Sequence, residues 1–174
     1  MQNRIIKIGV TPSGNEWISL GDVKEWLIVD HNEDDTLITR LMTAVRMAFE
    51  KYTKTCLIDS TVVVMVDLKN PEFKFPRLPF KEINSIDIRK SDGSFTPLST
   101  DEYTELGDSI CFETLGVVRI DYDSIWTALP DDIKIAMFSE IAFRYTERGD
   151  KKGQSGLCET AEAYLLPYIN MSYI

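Results

Sequence analysis

The chain has 174 residues, of which 44% are hydrophobic and 27% are charged, and this composition fits one globular domain with a single packed core. Its 19 Lys and Arg residues against 28 Asp and Glu residues give a formal net charge of −9, which disfavours tight binding to nucleic acid. An acidic surface suits a passage along which DNA slides without sticking, although solubility alone explains the acidity more simply.

Cysteine spacing and hydropathy exclude further classes of protein. Cys56, Cys111 and Cys158 are widely spaced and form no C-x-x-C pair, so neither a disulfide framework nor a zinc site is expected. The first residues lack the apolar core and cleavage site of a signal peptide, and no run approaches the roughly 20 apolar residues that span a bilayer. The sequence therefore predicts synthesis in the cytoplasm and no membrane partner.

The first half of the chain carries two helical patterns. Residues 4–10 alternate weakly before a T-P-S-G turn cluster, which indicates a short strand or an extended arm. A helix can begin at Ser19, whose hydroxyl is placed to accept the amide of Asp22, and Trp26 is expected in the core. A longer helix follows an acidic turn, and Asn32 or Asp34 can cap it. Its apolar stripe consists of Leu37, Ile38, Leu41, Met42, Val45, Ala48, Phe49 and Tyr52.

The middle of the chain reads as β-structure. Residues 61–68, TVVVMVDL, are β-branched and apolar enough for a strand buried on both faces. Asp92-Gly93 supplies the positive φ angles of a hairpin turn after a strand at residues 83–88. A meander of short strands is expected to continue to Tyr122.

The C-terminal part returns to helix. A helix is expected from Pro130, with Asp131 and Asp132 beside its positive end. Residues 149–156, GDKKGQSG, predict a flexible stretch before a last short helix that Pro167 ends. The predicted fold class is therefore α+β: a small, mostly helical bundle, with a long central helix and a helical C-terminal half, and an inserted antiparallel β-meander. One domain spans residues 1–174, with an N-terminal extension at 1–18 and a flexible C-terminal arm at 149–174.

No catalytic, cofactor-binding or metal-binding residues are predicted. His31 is the only histidine, and the chain contains neither a nucleophile elbow nor a phosphate loop. Asp30, Asn32 and Asp34 match the alternating ligands of an EF-hand, but the loop lacks the required glycine and the final glutamate, so helix capping explains these residues better. The missing chemistry shifts the prediction from an enzyme towards a binding or structural role.

The aromatic and apolar C-terminal end is the predicted partner interface. It follows the glycine-rich stretch and a proline at a chain end that ordinarily frays, and large amphipathic rings dominate interface energetics. A partner is expected to cover it, while truncation after Pro167 is expected to leave the core folded. The predicted interface residues are Tyr164, Leu165, Tyr168, Ile169, Met171, Tyr173 and Ile174.

A series of short motifs runs from Leu20 to about Pro167. A leading helix of the form L-x-x-V-K-x-W-L precedes a D-x-x-L-I-x-x-L-x-x-A helix that ends in E-x-Y-T, and a P-R-x-P segment and a W-x-x-x-P-x-x-I-K-x-A helix follow. In order and spacing these motifs resemble the head-tail connector family, also called adaptor or head-completion proteins, of long-tailed bacteriophages. The residues that carry the resemblance are Leu20, Val23, Lys24, Trp26, Leu27, Asp34, Leu37, Ile38, Leu41, Ala44, Glu50, Tyr52, Thr53, Leu57, Ile58, Thr61, Pro76, Arg77, Pro79, Ile83, Ser85, Ile86, Trp126, Pro130, Ile133, Lys134, Ala136, Tyr145, Glu147 and Arg148.

The resemblance implies a structural virion protein at the head-tail junction, made in the host cytoplasm. Identical copies would form a ring, dodecameric in the virion, beneath the portal protein, and the ring would extend the DNA channel and carry the stopper or tail-completion protein. Double-stranded DNA would pass through without tight binding, and the C-terminal segment would engage the portal. Ile125 departs from the family, which commonly has glycine there, and residues 1–18 extend beyond its usual start.

Two other readings stay open at this point. One is an intracellular enzyme domain of phage or host whose active site uses carboxylates that resemble surface charge. The other is a soluble acidic adaptor unrelated to virions.

Overall fold

The computed structural model describes residues 2–147 and 156–170. The chain divides into two compact units. Of the described residues, we call 2–14 and 58–126 the sheet unit, and 15–57, 127–147 and 156–170 the helical unit.

The sheet unit contains eight strands and a short 3-10 turn, Thr100–Glu102, in its described residues. The strands are β1 Arg4–Pro12, β2 Ser60–Asp67, β3 Glu72–Lys74, β4 Glu82–Arg89, β5 Phe95–Pro97, β6 Tyr103–Glu105, β7 Ser109–Phe112 and β8 Val117–Ser124. They form a five-stranded sheet in the order β1-β2-β8-β4-β5 and a three-stranded sheet in the order β3-β7-β6. All the pairs are antiparallel.

The strand order differs from the predicted meander. β8, the last strand along the chain, lies between β2 and β4, and its eight residues pair with β2 from Ser60 to Asp67. The hairpin at Asp92-Gly93 is confirmed, because Gly93 has φ 88° and the Lys90 N–H donates to the Ser94 carbonyl over 2.8 Å. The strands hold nearly as many residues as the helices, so the fold is α+β without being mostly helical.

β2 corrects the prediction of a strand buried on both faces. Val62, Val64 and Val66 are fully buried, whereas the residues that alternate with them are half-buried. β8 continues the buried face, and the Tyr122 hydroxyl at its end accepts from the Arg77 N–H and donates to the Arg77 carbonyl. The core of this unit therefore lies on one face of β2 and β8, and the Tyr122 ring contacts the rings of Phe75 and Phe80.

The helical unit contains four α-helices in its described residues: α1 Leu20–Leu27, α2 Asp35–Thr53, α3 Asp131–Thr146 and α4 Glu159–Leu165, the last followed by a 3-10 turn, Leu166–Tyr168. Their apolar faces meet in one core, which includes Val23, Ile38, Val45, Phe49, Ile133, Ala136, Ile141, Leu157, Ala161 and Leu165. Burial of such side chains contributes roughly 1.5–3 kcal/mol each.

Helix α1 begins as the sequence predicts. The Ser19 hydroxyl accepts from the Asp22 N–H over 3.1 Å, and the Asp22 carboxylate accepts from the Ser19 N–H over 3.0 Å. This capping box satisfies two amides of the first turn. The hydrogen bonds to Ser19 lower the pKa of Asp22, since they stabilise the charged carboxylate.

The predicted side-chain cap of α2 is wrong. Asp34 is the N-cap residue, but its side chain makes no capping bond, because its carboxylate accepts instead from the Tyr145 hydroxyl of α3. The Asn32 side-chain oxygen accepts from Lys24 Nζ over 2.7 Å, and the same Lys24 atom pairs with Asp35 over 2.7 Å. The side-chain oxygens of Asn32 and Asp34, which the sequence assigns to capping, therefore form tertiary contacts instead.

Two buried charges join segments of the helical unit. Arg46 of α2 is 8% exposed and pairs with Glu16 over 2.8 Å and with Glu50 over 3.0 Å. Burial alone would lower the pKa of Arg46, but the bonds and charges of the two glutamates raise it above its ordinary value. Glu140 of α3 is 1% exposed and binds Arg144 and the Cys158 N–H, each over 2.7 Å.

Candidate interaction surfaces

The described residues contain no group of three or more His, Cys, Asp or Glu side chains placed to hold a metal ion. None of their helices is long and apolar enough to cross a membrane. Two of the three EF-hand-like side chains bind within the helical unit, as Asn32 binds Lys24 and Asp34 binds Tyr145.

The predicted C-terminal interface is divided by the structure. Tyr164 is 39% exposed and the neighbouring Leu166 is 61% exposed, whereas Leu165 is fully buried against the core of the helical unit. Tyr168 and Ile169 are half-buried. Met171, Tyr173 and Ile174 lie outside the described residues. Helical periodicity explains the division, since α4 turns Tyr164 outward and Leu165 inward.

The described part of the predicted C-terminal arm is packed rather than free. Leu157 and Ala161 are buried, and the Asn170 N–H donates to the Thr53 carbonyl at the end of α2 over 2.8 Å. Burial and the charge of Asp132 raise the pKa of Tyr168, which also hydrogen-bonds that carboxylate. The helical unit thus extends to Asn170, and a truncation that spares its packing ends there rather than at Pro167. The stretch predicted to be flexible, 149–156, lies outside the described residues except for Gly156.

An open groove lies between α1 and α3 in the helical unit. Its volume is about 710 Å³, and its walls include Trp17, Trp26 and Phe138, with Ile28 at the end of α1. The rings of Trp26 and Phe138 stack with their centroids 5.3 Å apart. Trp26 is 49% exposed, so the prediction that it belongs to the core is wrong. Phe138 covers one face of the Trp26 ring, so the other face of that ring is available for contact.

Backbone geometry and polar groups mark the same groove. Ile28 is 92% exposed at φ 57°, a left-handed conformation that a β-branched residue rarely adopts. Trp17 Nε1 is buried and has no hydrogen-bond partner among the described residues. Asp22, Glu25 and Lys134 supply charges at the walls. The sequence could have signalled this site through two tryptophans and an isoleucine crowded around a helix of only eight residues.

The fold is similar to chains in the solved structures of gene transfer agent particles. A chain from the virion of a native particle matches with a TM-score of 0.71 and 18% identity, covering 97% of this chain and 95% of that chain. Chains from the neck of an empty particle, computed with C6 symmetry, and from the neck of a native particle, computed with C12 symmetry, each match with a TM-score of 0.70 and 17% identity. Each of these two alignments covers 92% of this chain and 94% of the other.

This chain has the fold of a gene transfer agent neck chain. The likeness extends over nearly the whole of both chains, and it agrees with the resemblance of the sequence to head-tail connectors. No protein-family model matches the sequence, and no curated protein is similar to it in sequence.

Proposed function

We propose that this chain is a structural, non-enzymatic virion protein of the neck, which connects the DNA-filled head of a bacteriophage to its tail. The observation that carries the proposal is the TM-score of 0.70–0.71 to neck and virion chains over more than nine-tenths of the residues. At 17–18% identity the likeness concerns the fold. The step from fold to function rests on the additional agreement with the connector-like order of motifs.

In this function, identical copies form a ring beneath the portal vertex, and the ring carries a stopper or tail-completion protein. The neck structures with similar chains were computed with C6 and C12 symmetry, which supports a dodecamer in the virion. Closed rings require head-to-tail interfaces between two unlike surfaces of each copy. The exposed Tyr164 and Leu166, with Tyr168 and Ile169 beside them, are the proposed contact to the portal, together with Met171, Tyr173 and Ile174.

The ring would extend the DNA channel, and charge supports a passage that does not hold the strand. The net charge of the chain is −9. Phosphates and carboxylates repel each other at close range, so DNA gains no binding energy from such a wall.

Peptide mass spectrometry of purified, tail-bearing particles tests this proposal. We expect the chain to be present at about the copy number of the portal protein, and deletion of its gene to yield filled heads without tails. Its absence from particles whose portal and capsid peptides are detected would overturn the proposal.

A further inference from the structure

Strand β1 presents an uncovered edge in the sheet unit. It has nine residues and pairs, among the described residues, with β2 alone, and all but one of its residues are exposed. Ile8 and Val10 lie opposite Val64 and Val62, on the buried face of the sheet, yet each is still 39% exposed. Ile6, at a bulge, is 49% exposed. A long apolar edge with free N–H and C=O groups is a template for pairing with another strand.

The charge of this edge is opposite in sign to the net charge of the chain. Between residues 2 and 15 there are two cations, Arg4 and Lys7, and no carboxylate, in a protein of net charge −9. Both side chains are exposed. A partner strand for β1 should therefore be acidic and carry some apolar surface.

We propose that β1 of one copy pairs through this edge with β6 of the next copy, which joins the copies head to tail. The inference rests on the proposed ring and identifies its two unlike surfaces. β6 lies at the outer edge of the three-stranded sheet, and Glu105 and Asp108 on and beside it are exposed. Leu106, at its end, is 56% exposed and offers the apolar contact.

The other strand edges of the described sheet unit fit less well. β5, the far edge of the five-stranded sheet, includes Pro97, which cannot donate a hydrogen bond. β3 lies beside the beginning of β1 in the same chain, where Asn3 Nδ2 donates to the Glu72 carbonyl over 2.7 Å. β6 lies at the opposite edge of the three-stranded sheet from β3. Only β6 combines an open edge, carboxylates and a position away from β1.

A symmetric pairing of β1 with β1 of a second copy is disfavoured. It would bring together two edges whose own charged residues are the cations Arg4 and Lys7, so the pair would gain no opposite-charge contact. It would also close a two-fold dimer, whereas a ring requires unlike surfaces. Pairing of the basic β1 edge with the acidic β6 edge brings opposite charges together and uses two unlike surfaces.

Carbodiimide cross-linking of the unmodified protein tests the contact directly. The reagent joins an amine to a carboxylate in contact, and Lys7 is the only lysine of β1. Particles assembled from mixed ¹⁴N and ¹⁵N protein should yield peptides that join Lys7 of one label to Glu105 or Asp108 of the other. If the links from Lys7 lie only within one label, or reach only carboxylates outside β6 and its turns, the pairing is refuted.

Charge reversal provides the second test. Arg4→Glu with Lys7→Glu should reduce incorporation into particles about tenfold or more, and so should Glu105→Lys with Asp108→Lys. Combining the four substitutions in one chain should restore incorporation, because each edge then again meets its opposite. Lys90→Glu with Glu82→Lys, which changes exposed charges outside β1 and β6, is the matched control and should incorporate normally.

The outcomes separate the two proposals. Absence of the unmodified chain from particles would contradict the neck function itself. Presence of that chain, together with normal incorporation of both charge-reversed pairs, would leave the neck function standing and overturn the β1–β6 contact. Loss of incorporation that the fourfold variant does not restore would also count against the contact, because the two edges of that variant again carry opposite charges and should pair.

Discussion

At the residue scale, one site of backbone strain lies at the exposed end of α1. Ile28 ends α1 in the left-handed conformation, and its amide donates to the carbonyls of Glu25 and Lys24. A glycine would make the same bonds without the steric cost of a Cβ. With 92% of the residue exposed, the isoleucine side chain gains little from packing within the chain.

We therefore expect Ile28→Gly to raise the free energy of unfolding of the isolated protein by about 1 kcal/mol. Denaturant unfolding measures the change. Ile28→Ala is the matched control: it removes the same exposed surface but keeps a Cβ at φ 57°, so it should give little or no gain. Equal gains from both variants would show that the strain is not the cause.

At the element scale, the capping box of α1 links local sequence to stability. Removing the Ser19 hydroxyl by Ser19→Ala leaves the Asp22 amide without its acceptor and should cost about 0.5–2 kcal/mol. Ser91→Ala, at an exposed position of the hairpin after β4, should change stability by less than about 0.5 kcal/mol. Chemical denaturation at neutral pH compares the two.

The same box predicts a pH dependence. The pKa of Asp22 is lowered in the folded chain, so its contribution is fully present above the ordinary aspartate pKa and is lost as the pH falls through the folded value. Asp22→Asn should flatten that part of the acid limb in a plot of stability against pH. An unchanged acid limb in this variant would contradict the prediction.

At the scale of the whole molecule, the C-terminal end separates folding from docking. Ending the chain after Asn170 keeps all the described contacts of the helical unit, so the melting temperature should change little. Ending it after Pro167 removes Tyr168 and the buried Asn170, and should lower the melting temperature by several degrees. If residues 171–174 help to bind the portal, heads made with the chain that ends after Asn170 should package DNA and then leak it. Thermal melting and nuclease protection of packaged DNA give the two readouts.

Charge makes a prediction for the whole molecule as well. With a net charge of −9, the isolated protein should bind duplex DNA more weakly than about 1 μM at ~150 mM salt. Fluorescence anisotropy with a labelled duplex measures this, and a basic DNA-binding protein in the same buffer controls for labelling. Nanomolar binding would contradict a channel that lets DNA slide.

The sequence by itself determined the elements whose signals are local. The capping box at Ser19, the helix α2 and the Asp92-Gly93 turn follow from spacing, side-chain chemistry and backbone conformation within a few residues. The predicted stripe of α2 holds for Ile38, Met42, Val45 and Phe49, whereas Leu37 is 44% exposed. The order of motifs likewise indicated a connector-like chain before any fold was known.

Only the tertiary structure decided what depends on distant residues. The Tyr145 hydroxyl, 111 positions along the chain, donates to the Asp34 carboxylate, which therefore does not cap α2 as expected. The Trp26 ring stacks on Phe138 at the surface and does not enter the core. The insertion of β8 between β2 and β4 leaves β1 as an open edge, although residues 1–18 had no assigned role in the sequence. These contacts join residues that are far apart in the sequence. The periodicity of hydrophobic residues shows which side of a helix or strand is apolar, but it does not show which distant residue packs against that side.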